Sequence, residues 1–374
     1  MAQQVLHILG SLERAGAESV ALDLVKAIPS TEVRQTFFCL SGRRGALADQ
    51  FERYGAEVIT PSGSKFQRIM AYFRHVKHNK PDVVQSHVLL TSGWLLLGAR
   101  LCGIRMRIAR IHSEGDGQTS TALRRLYRES CRWALWLGAS HVLAVSTASL
   151  EFSLPNRKPI GHGPDFSAVI PNGVDTGRFT TDLQQISKPP RYLHVGRNNL
   201  AKNRAALPPI LRALLDEGPC SMRVIGSTDH SDIGPIPEGM LVEGPMEDIA
   251  PAYETASALV LPSLREGLPG VILEALSCGV PAVVSDLPSL RELSEKLNGI
   301  TLISLAEDSE KWAQALMSAA AQSKEERRNI RQGVVESEFS LVTQSATWRE
   351  IWMRQSPDDH VNRLRIRYWY RRSS

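Results

Sequence analysis

The sequence predicts two doubly wound α/β domains, each built on a parallel β-sheet that carries helices on both faces. At 374 residues the chain is long for one domain, which favours two. Short apolar runs alternate with amphipathic helical runs in two blocks, a pattern typical of parallel sheets covered on both faces. A polar stretch without periodicity, TTDLQQISKPP at residues 180–190, separates the two blocks and indicates a linker.

We therefore predict a first domain over residues 1–179, a linker over 180–190 and a second domain over 191–340. Residues 341–374 are predicted to form a helix that packs back on the first domain, followed by a tail rich in arginine and aromatic residues. Ligands of doubly wound sheets bind at the carboxyl ends of the strands. We expect the functional site there, in a cleft between the domains.

Each strand and helix is predicted from its own apolar pattern. Before the linker, strands are expected at Val5–Leu9, Thr36–Leu40, Glu57–Thr60, Asp82–Ser86, Arg107–Ile111, His141–Val145 and Ala168–Pro171. The helices between them are expected at Ala17–Ala27, Phe66–Lys77, Ser92–Leu101 and Ala122–Leu137. After the linker, strands are expected at Tyr192–Val195, Met222–Ile225, Ala258–Leu261, Val280–Val284 and Ile300–Ile303, and a closing helix at Leu341–Arg354.

The composition is that of an ordinary soluble globular protein, with 43% hydrophobic and 22% charged residues. The five cysteines are scattered and form no CxxC pair, which argues against a disulfide framework and against a zinc site. The first apolar run is too short for a signal peptide, and no apolar run of about 18 residues predicts a membrane span. We expect a cytoplasmic protein, with peripheral contact at the inner face of the plasma membrane as a second hypothesis.

The net charge of +5 is unevenly distributed along the chain. Residues 1–178 carry +8, residues 179–340 carry −7 and residues 341–374 carry +4. This asymmetry favours an anionic partner for the first half and the tail, either membrane lipid or a pyrophosphate-bearing acceptor. A nucleic-acid partner is not expected, because the excess charge is regional and no recognised binding motif accompanies it.

Two segments interleave arginine with aromatic and aliphatic residues in a way that suits an anionic membrane surface. They are Thr121–Leu137, TALRRLYRESCRWALWL, and Arg363–Arg372, RLRIRYWYRR. The first is equally well interpreted as a core helix with a solvated basic face. For the tail, disorder is the competing interpretation.

The stretch Val260–Asp286 organises the second domain, with the pattern strand, loop, helix, strand. Pro269 suits a first helical turn and Gly279 a helix end. The helix N-terminus that follows Gly267 offers unpaired backbone N–H groups, which suit a phosphate. Glu274 tilts back towards that N-terminus, so Glu266 and Glu274 are expected to converge on one polyhydroxylated ligand. This pattern predicts a nucleotide-sugar site.

A second loop of the same domain carries two cations five residues apart. Arg197 and Lys202 follow the strand that ends at Val195, in VGRNNLAKN, and can clamp a diphosphate without a metal. The chain has no Asp-x-Asp pair to cage a magnesium–diphosphate complex, so no metal and no other cofactor is expected. Exposed loop cations are usually only solvated, and that alternative stays open.

Three motifs of the first domain each allow a functional and a purely structural interpretation. Gly10–Glu18 is a glycine turn between strand and helix that brings backbone close to a ligand, or simply a tight turn. His112 ends a strand and points a hydrogen-bonding ring towards the predicted cleft, unless loop backbone satisfies it. The turn in Ile170–Asp175, IPNGVD, is largely explained as structure near the domain junction.

Together these motifs resemble the retaining glycosyltransferases of family 4, which have the GT-B fold, and in particular bacterial members of exopolysaccharide and lipopolysaccharide assembly. The resemblance runs through the early glycine turn, His112, IPNGVD, the VGR and KN loop and EGLPGVILEAL. It implies catalytic roles for His112, Arg197, Lys202 and Glu266 and donor binding by Gly16, Gly196, Gly267, Leu268, Pro269 and Glu274. One departure is Ala15, which stands where the family often has glycine.

By this resemblance, Arg197 and Lys202 hold the donor diphosphate, Glu266 and His112 touch the transferred sugar, and Glu274 binds the ribose. The implied reaction moves a sugar from a UDP- or GDP-sugar to a glycan or a polyprenyl-diphosphate-linked acceptor. The first domain would bind the acceptor and the second the donor. A nucleotide-sugar epimerase of the same fold and a non-catalytic scaffold of a polysaccharide complex remain alternatives.

Overall fold

The computed structural model describes residues 2–115, 121–154, 166–180 and 188–353, and the chain divides into two compact units. The first unit comprises residues 1–172 together with 341–374, and the second comprises residues 173–340. The boundary therefore lies just after the Asn172 turn. Most of the predicted linker and the whole tail Arg363–Arg372 lie outside the described residues.

The first unit is a seven-stranded parallel sheet in the order β3-β2-β1-β4-β5-β6-β7. Its order reverses between β1 and β4, which pair directly. The strands are β1 Gln3–Leu9, β2 Val33–Cys39, β3 Glu57–Ile59, β4 Val83–Ser86, β5 Met106–Ile111, β6 His141–Ala144 and β7 Phe166–Val169.

Helices cover both faces of this sheet and bury apolar stripes against it. They are α1 Gly16–Ala27, α2 Ala48–Arg53, α3 Lys65–Asn79, α4 Ser92–Leu101, α5 Ala122–Gly138 and α6 Thr147–Ser153. A capping box starts α3, because the Ser64 hydroxyl accepts from the Gln67 amide and the Gln67 side chain accepts from the Ser64 amide.

The C-terminal helix, Leu341–Met353, belongs to the first unit. Its Trp348 and Trp352 are fully buried and pack in a core cluster with Val5 of β1 and Ile108 of β5. These two large aromatic side chains bury enough apolar surface to hold the helix on the sheet.

The second unit is a six-stranded parallel sheet in the order β10-β9-β8-β11-β12-β13. Its order reverses between β8 and β11, which pair directly. The strands are β8 Arg191–Val195, β9 Ser221–Ile225, β10 Met240–Glu243, β11 Ala258–Leu261, β12 Ala282–Ser285 and β13 Ile300–Ile303. The helices are α7 Leu207–Glu217, α8 Ala250–Glu254, α9 Gly270–Ser277, α10 Pro288–Lys296, α11 Ser309–Ala320 and α12 Lys324–Val335.

The predicted fold class is confirmed, since both units are doubly wound and their pairings are parallel throughout the described sheets. The interior strands β11 and β12 read ALVL and AVVS and are buried at every position, as parallel strands covered on both faces require. The sequence analysis missed β10, an edge strand. Its MLVE is only four residues long and two of them are half-buried, which leaves little apolar pattern to detect.

Candidate active site

The reversal of strand order in the second unit lies between β8 and β11. At such a point the following helices wind in opposite directions, so the two loops separate and leave room for a ligand. The loop after β8 covers residues 196–203 and the loop after β11 covers residues 262–269. The Leu264 amide donates a hydrogen bond to the Ala201 carbonyl at 2.8 Å, which fixes one loop to the other.

An ion pair joins the same two loops. The Lys202 Nζ donates to the Glu266 Oε1 at 2.7 Å, and both side chains are largely buried. The hydroxyl of the buried Ser289 donates to the Glu266 carbonyl at 2.9 Å and holds the backbone of this loop. The sequence analysis gave Lys202 and Glu266 separate roles, and the structure brings their charged groups into direct contact.

Close backbone packing positions the loop that carries Arg197. A Cβ on Gly196 would lie 2.8 Å from the His194 Nε2, so a side chain at residue 196 forces a rearrangement. Gly226 has φ +130°, and a Cβ there would lie 2.7 Å from the Gly196 carbonyl oxygen. Arg197 itself is exposed and makes no hydrogen bond or ion pair with another residue of the described ranges.

His194 is fully buried beneath this loop and links the two central strands. Its Nδ1–H donates to the Val260 carbonyl at 3.0 Å. Burial above all, together with the nearby cations Lys202 and Arg204, lowers the pKa of His194 to about 3. The ring is therefore neutral at physiological pH and adds no charge beneath the loops.

The N-terminus of α9 lies at the end of the loop after β11. Pro269 occupies the N-cap position and no side chain caps the helix, whose first turn also holds no acidic residue. The residues that lead into it, Glu266 to Pro269, are buried. Free N–H groups and the positive end of the helix dipole make this a suitable position for a phosphate.

Glu274 lies over the start of the same helix. Its Oε1 is 3.7 Å from the position that a Cβ on Gly270 would occupy, as expected from the tilt of helical side chains. The Tyr253 hydroxyl donates to the other oxygen, Oε2, at 2.7 Å. Burial and then the Glu274 charge raise the pKa of Tyr253 well above 10, so the hydroxyl stays protonated. No pattern in the sequence pointed to Tyr253, which sits on the short helix α8.

In the first unit, three histidine rings follow one another across β1, β4 and β5: His7 lies within β1, and His87 and His112 come directly after β4 and β5. The His7 Nδ1 lies 3.2 Å from the His87 Nε2, and the His87 Nδ1 lies 2.9 Å from the His112 Nε2. Burial lowers the pKa of His7 to about 3 and the pKa values of His87 and His112 well below 6.5. All three rings are neutral at physiological pH.

The sequence analysis identified His112 of this group but missed His87 and His7. His87 follows the end of β4 and so offered the same signal as His112, a ring at the carboxyl edge of a parallel sheet. His7 lies inside β1, where a single histidine in an apolar run carries no such signal.

Arg110 explains the IPNGVD turn. Its buried guanidinium donates to the Ile170 carbonyl and, at 3.0 Å, to the Asn172 Oδ1. It also lies 5.0 Å from the ring of Trp348. Burial lowers the pKa of Arg110 to about 9, and its remaining charge further disfavours protonation of His87 and His112. The turn is held by a buried cation, which supports the structural interpretation of that motif.

Gly16 lies in the first unit, at the start of α1. A Cβ there would meet no atom within 4 Å, and the N-cap residue Ala15 provides no side-chain cap. Gly16 therefore belongs to a different unit from Gly196, Gly267, Leu268, Pro269 and Glu274. Its predicted part in donor binding stays a prediction.

A doubly wound unit whose strand reversal carries a buried lysine–glutamate pair beside an uncapped helix is a suitable arrangement for a phosphate-bearing ligand, and two doubly wound units in one chain are the architecture of the GT-B class. Two family models match the chain. The model of glycosyltransferase family 4 matches residues 14–178, and the model of glycosyl transferases group 1 matches residues 189–322. The chain belongs to this family of glycosyltransferases, which confirms the predicted family.

Known proteins similar over most of the chain agree with this assignment. The putative glycosyltransferase EpsF of Bacillus subtilis is 24% identical over 390 residues, covering 96% of this chain and 98% of EpsF. The UDP-Gal:α-D-GlcNAc-diphosphoundecaprenol α-1,3-galactosyltransferase of Escherichia coli is 22% identical over 309 residues, covering 73% and 76%. HepE of Anabaena, solved with UDP and glucose, superposes with a TM-score of 0.74 at 19% identity and covers 93% of this chain and 99% of its own.

Proposed function

We propose that this glycosyltransferase moves a sugar from a nucleoside-diphosphate sugar to a glycan or lipid-linked acceptor during assembly of a bacterial surface polysaccharide, with retention and without a metal. The observation that carries the proposal is the buried Lys202–Glu266 pair, 2.7 Å apart, at the strand reversal beside the uncapped start of α9. It combines a cation for phosphate with a carboxylate for sugar hydroxyls.

The leaving diphosphate is the group that this arrangement stabilises. As the glycosidic bond breaks, negative charge grows on the diphosphate, and we assign Lys202, Arg197 and the α9 N-terminus to balance it. Donors fixed before the reaction stabilise the transition state more than the ground state. Because two protein cations and a helix end provide this charge, no divalent metal is needed for departure of the leaving group.

The two carboxylates bind the donor. Glu274 accepts from Tyr253 through Oε2, and its Oε1 lies over the helix start, where a ribose hydroxyl can donate to it. Glu266 accepts from Lys202 and has further acceptor positions for a hydroxyl of the transferred sugar. A carboxylate that accepts from two donors holds its ligand in one orientation.

For retention, the leaving phosphate itself accepts the proton of the acceptor hydroxyl, on the same face of the sugar. This route needs no general base from the protein. His112 is assigned to the transferred sugar as a neutral hydrogen-bonding group. A double displacement with a carboxylate nucleophile is the competing route, and a trapped glycosyl–enzyme adduct is the result that would favour it.

The relatives support UDP-hexose as the donor and a diphosphate-linked lipid as the acceptor. HepE was solved with UDP and glucose, and the E. coli relative carries UDP-Gal and diphosphoundecaprenol in its name. The net charge of +8 over residues 1–178 suits an acceptor that bears a pyrophosphate.

The helix α5 supports peripheral contact with an anionic membrane. Its buried stripe is formed by Cys131, Ala134, Leu135 and Gly138. Leu123, Leu126 and Trp133 lie elsewhere on the helix and are 78%, 68% and 51% exposed. Exposed apolar groups among arginines are typical of helices that lie in a membrane interface. In the described ranges no helix is both long and apolar enough to cross a bilayer.

The test is a screen of the full-length chain with UDP-, GDP- and ADP-sugars, measuring nucleotide release with and without a lipid-diphosphate acceptor. We expect UDP release that depends on the acceptor and a product in which the anomeric configuration of the donor is kept. Sugar interconversion without an acceptor would instead identify an epimerase. Binding without turnover across all donors would identify a scaffold.

A further inference from the structure

A series of hydrogen bonds that begins in the core runs from the C-terminal helix to the part-buried His87 and His112 within the first unit. The indole N–H of Trp352 donates to the Gln85 Oε1 at 2.8 Å. The Gln85 Nε2 lies 3.4 Å from the His87 Nε2, and the His87 Nδ1 lies 2.9 Å from the His112 Nε2. Trp352, Gln85 and His7 are all at most 2% exposed, so water does not compete for these groups.

Trp352, which begins this series of hydrogen bonds, can only act as a donor. An indole nitrogen is a donor and never an acceptor, so the Gln85 atom that faces Trp352 must be the carbonyl oxygen. The amide NH₂ of Gln85 therefore faces His87, and the His87 Nε2 has to be the unprotonated, accepting nitrogen. The His7 Nδ1, 3.2 Å away, donates to the same lone pair.

The direction then passes to His112. A neutral histidine carries one proton, so His87 carries it on Nδ1 and donates it to the His112 Nε2. His112 in turn carries its proton on Nδ1. That nitrogen is enclosed and has no hydrogen-bond partner among the residues that the structure describes.

We propose that Trp352, acting through Gln85 and His87, positions His112 as an Nδ1–H donor for an oxygen of the substrate. The proposal rests on the proposed function in one respect, the assignment of His112 to the transferred sugar. Trp352, Gln85 and His87 are positioning residues, because they act through the His112 ring.

The opposite direction of the chain is disfavoured by the same contacts. If His112 donated from Nε2 to His87, then His87 would carry its proton on Nε2, opposite the amide hydrogens of Gln85. His87 could then donate to the His7 Nδ1 at 3.2 Å, but the Gln85 amide would face a donor and lose its acceptor, which costs the desolvation of an unpaired N–H. In the proposed direction, two buried ring nitrogens have no partner: the His7 Nε2, as an acceptor, and the His112 Nδ1–H, as the donor assigned to the substrate. Buried acceptors without a partner are less rare than buried donors, and the substrate oxygen would satisfy the donor.

Nitrogen NMR of the full chain labelled with ¹⁵N in its histidine rings tests the proposal without any substrate. Long-range correlations between the carbon-bound ring protons and the ring nitrogens distinguish the two neutral tautomers. The signal of His112 is assigned by its absence from a His112→Gln sample. We expect His112 in the Nδ1–H form at pH 7. The Nε2–H form in the unmodified protein would overturn the proposal, whatever the variants do.

The variant Trp352→Phe keeps an aromatic ring and removes the donor. We expect the Gln85 amide to become free to turn, the His112 signal to shift towards a mixture of tautomers, and kcat/KM to fall roughly five- to tenfold, the scale of one hydrogen bond. Trp348→Phe is the matched control on the same helix, since Trp348 contacts Arg110 and lies outside the chain. It should leave the tautomer unchanged.

A folded Trp352→Phe protein with His112 still in one Nδ1–H form would also overturn the proposal. Failure of the proposed function looks different. In that case no variant and no wild-type protein transfers sugar, while the tautomer and its dependence on Trp352 remain measurable.

Discussion

Lys202 and Glu266 form an ion pair of 2.7 Å between the loops that follow β8 and β11. The loops are 64 residues apart in the sequence and adjacent because their strands pair at the reversal of the sheet. Removing one partner of a largely buried pair is costly, because the other charge stays buried without compensation. A diphosphate at this position gives Lys202 a second anionic partner while Glu266 stays neutralised.

Lys202→Ala should lower turnover by roughly 100-fold or more, because it removes a donor that acts on charge formed in the transition state. Steady-state kinetics with the preferred donor measure the effect. Lys202→Arg keeps the positive charge but replaces the compact ammonium by a planar guanidinium. Its turnover should lie between that of the wild type and that of Lys202→Ala. Unchanged turnover in the alanine variant contradicts the assigned role.

Loss of stability is separated from loss of catalysis by a second variant. Lys202→Ala leaves the Glu266 carboxylate buried without its cation, whereas Lys202→Ala combined with Glu266→Gln does not. The double variant should recover thermal stability and remain inactive. Recovery of activity together with stability would show that Lys202 serves the fold alone.

Parallel strands and their loops could be predicted because each depends on local sequence. Apolar runs such as ALVL identify buried strands, and cations or carboxylates at strand ends fall on one edge by topology alone. Contacts that join distant segments could not be predicted in this way. Tyr253 meets Glu274 through the packing of α8 on α9, and Trp352 meets Gln85 through the return of the C-terminal helix to the first sheet. Neither contact is indicated by a pattern in the neighbouring sequence.

Tyr253→Phe should raise the KM for the donor by roughly tenfold and change kcat little, since it removes one hydrogen bond to the carboxylate that holds the ribose. The ring stays in place, so its edge contact with Phe179 is kept. Tyr192→Phe, another buried tyrosine of this unit, serves as the control. A fall in kcat with an unchanged KM argues against a binding role.

EDTA should leave the rate of transfer unchanged, because Lys202, Arg197 and the α9 N-terminus supply the positive charge at the diphosphate. The measurement compares initial rates in chelator with rates in added magnesium. A loss of activity that magnesium restores would show that the leaving group departs with a metal, and the clamp would then be incomplete.

Stability should fall as the pH drops from about 6.5 towards 3. Burial lowers the pKa of His7 and of His194 to about 3, whereas both titrate near 6.5 in the unfolded chain. Between these values the unfolded state binds protons that the folded state does not, so each histidine contributes a slope of up to about 1.4 kcal/mol per pH unit. Above pH 6.5 both histidines are neutral in the folded and in the unfolded state, so they add no further pH dependence to the unfolding free energy.

Urea unfolding at pH 7, 5.5 and 4.5 measures this dependence. His194→Gln keeps an N–H donor for the Val260 carbonyl and removes the titrating group, so its unfolding free energy should depend less steeply on pH. An equally steep dependence in the variant rules out His194 as a source of the acid sensitivity.

Binding to liposomes that contain anionic lipid should depend on the exposed side of α5. Replacing Leu123, Leu126 and Trp133 by serine removes apolar groups that are more than half exposed, so folding stability should change little while flotation with anionic vesicles is lost. Val342→Ser is the control, because Val342 is equally exposed on the C-terminal helix. Each arginine near the surface adds on the order of 1 kcal/mol at low salt, so wild-type binding should also weaken as salt rises. If the triple variant floats as well as the wild type, α5 is a solvated basic helix and the acceptor alone explains the positive charge of the first unit.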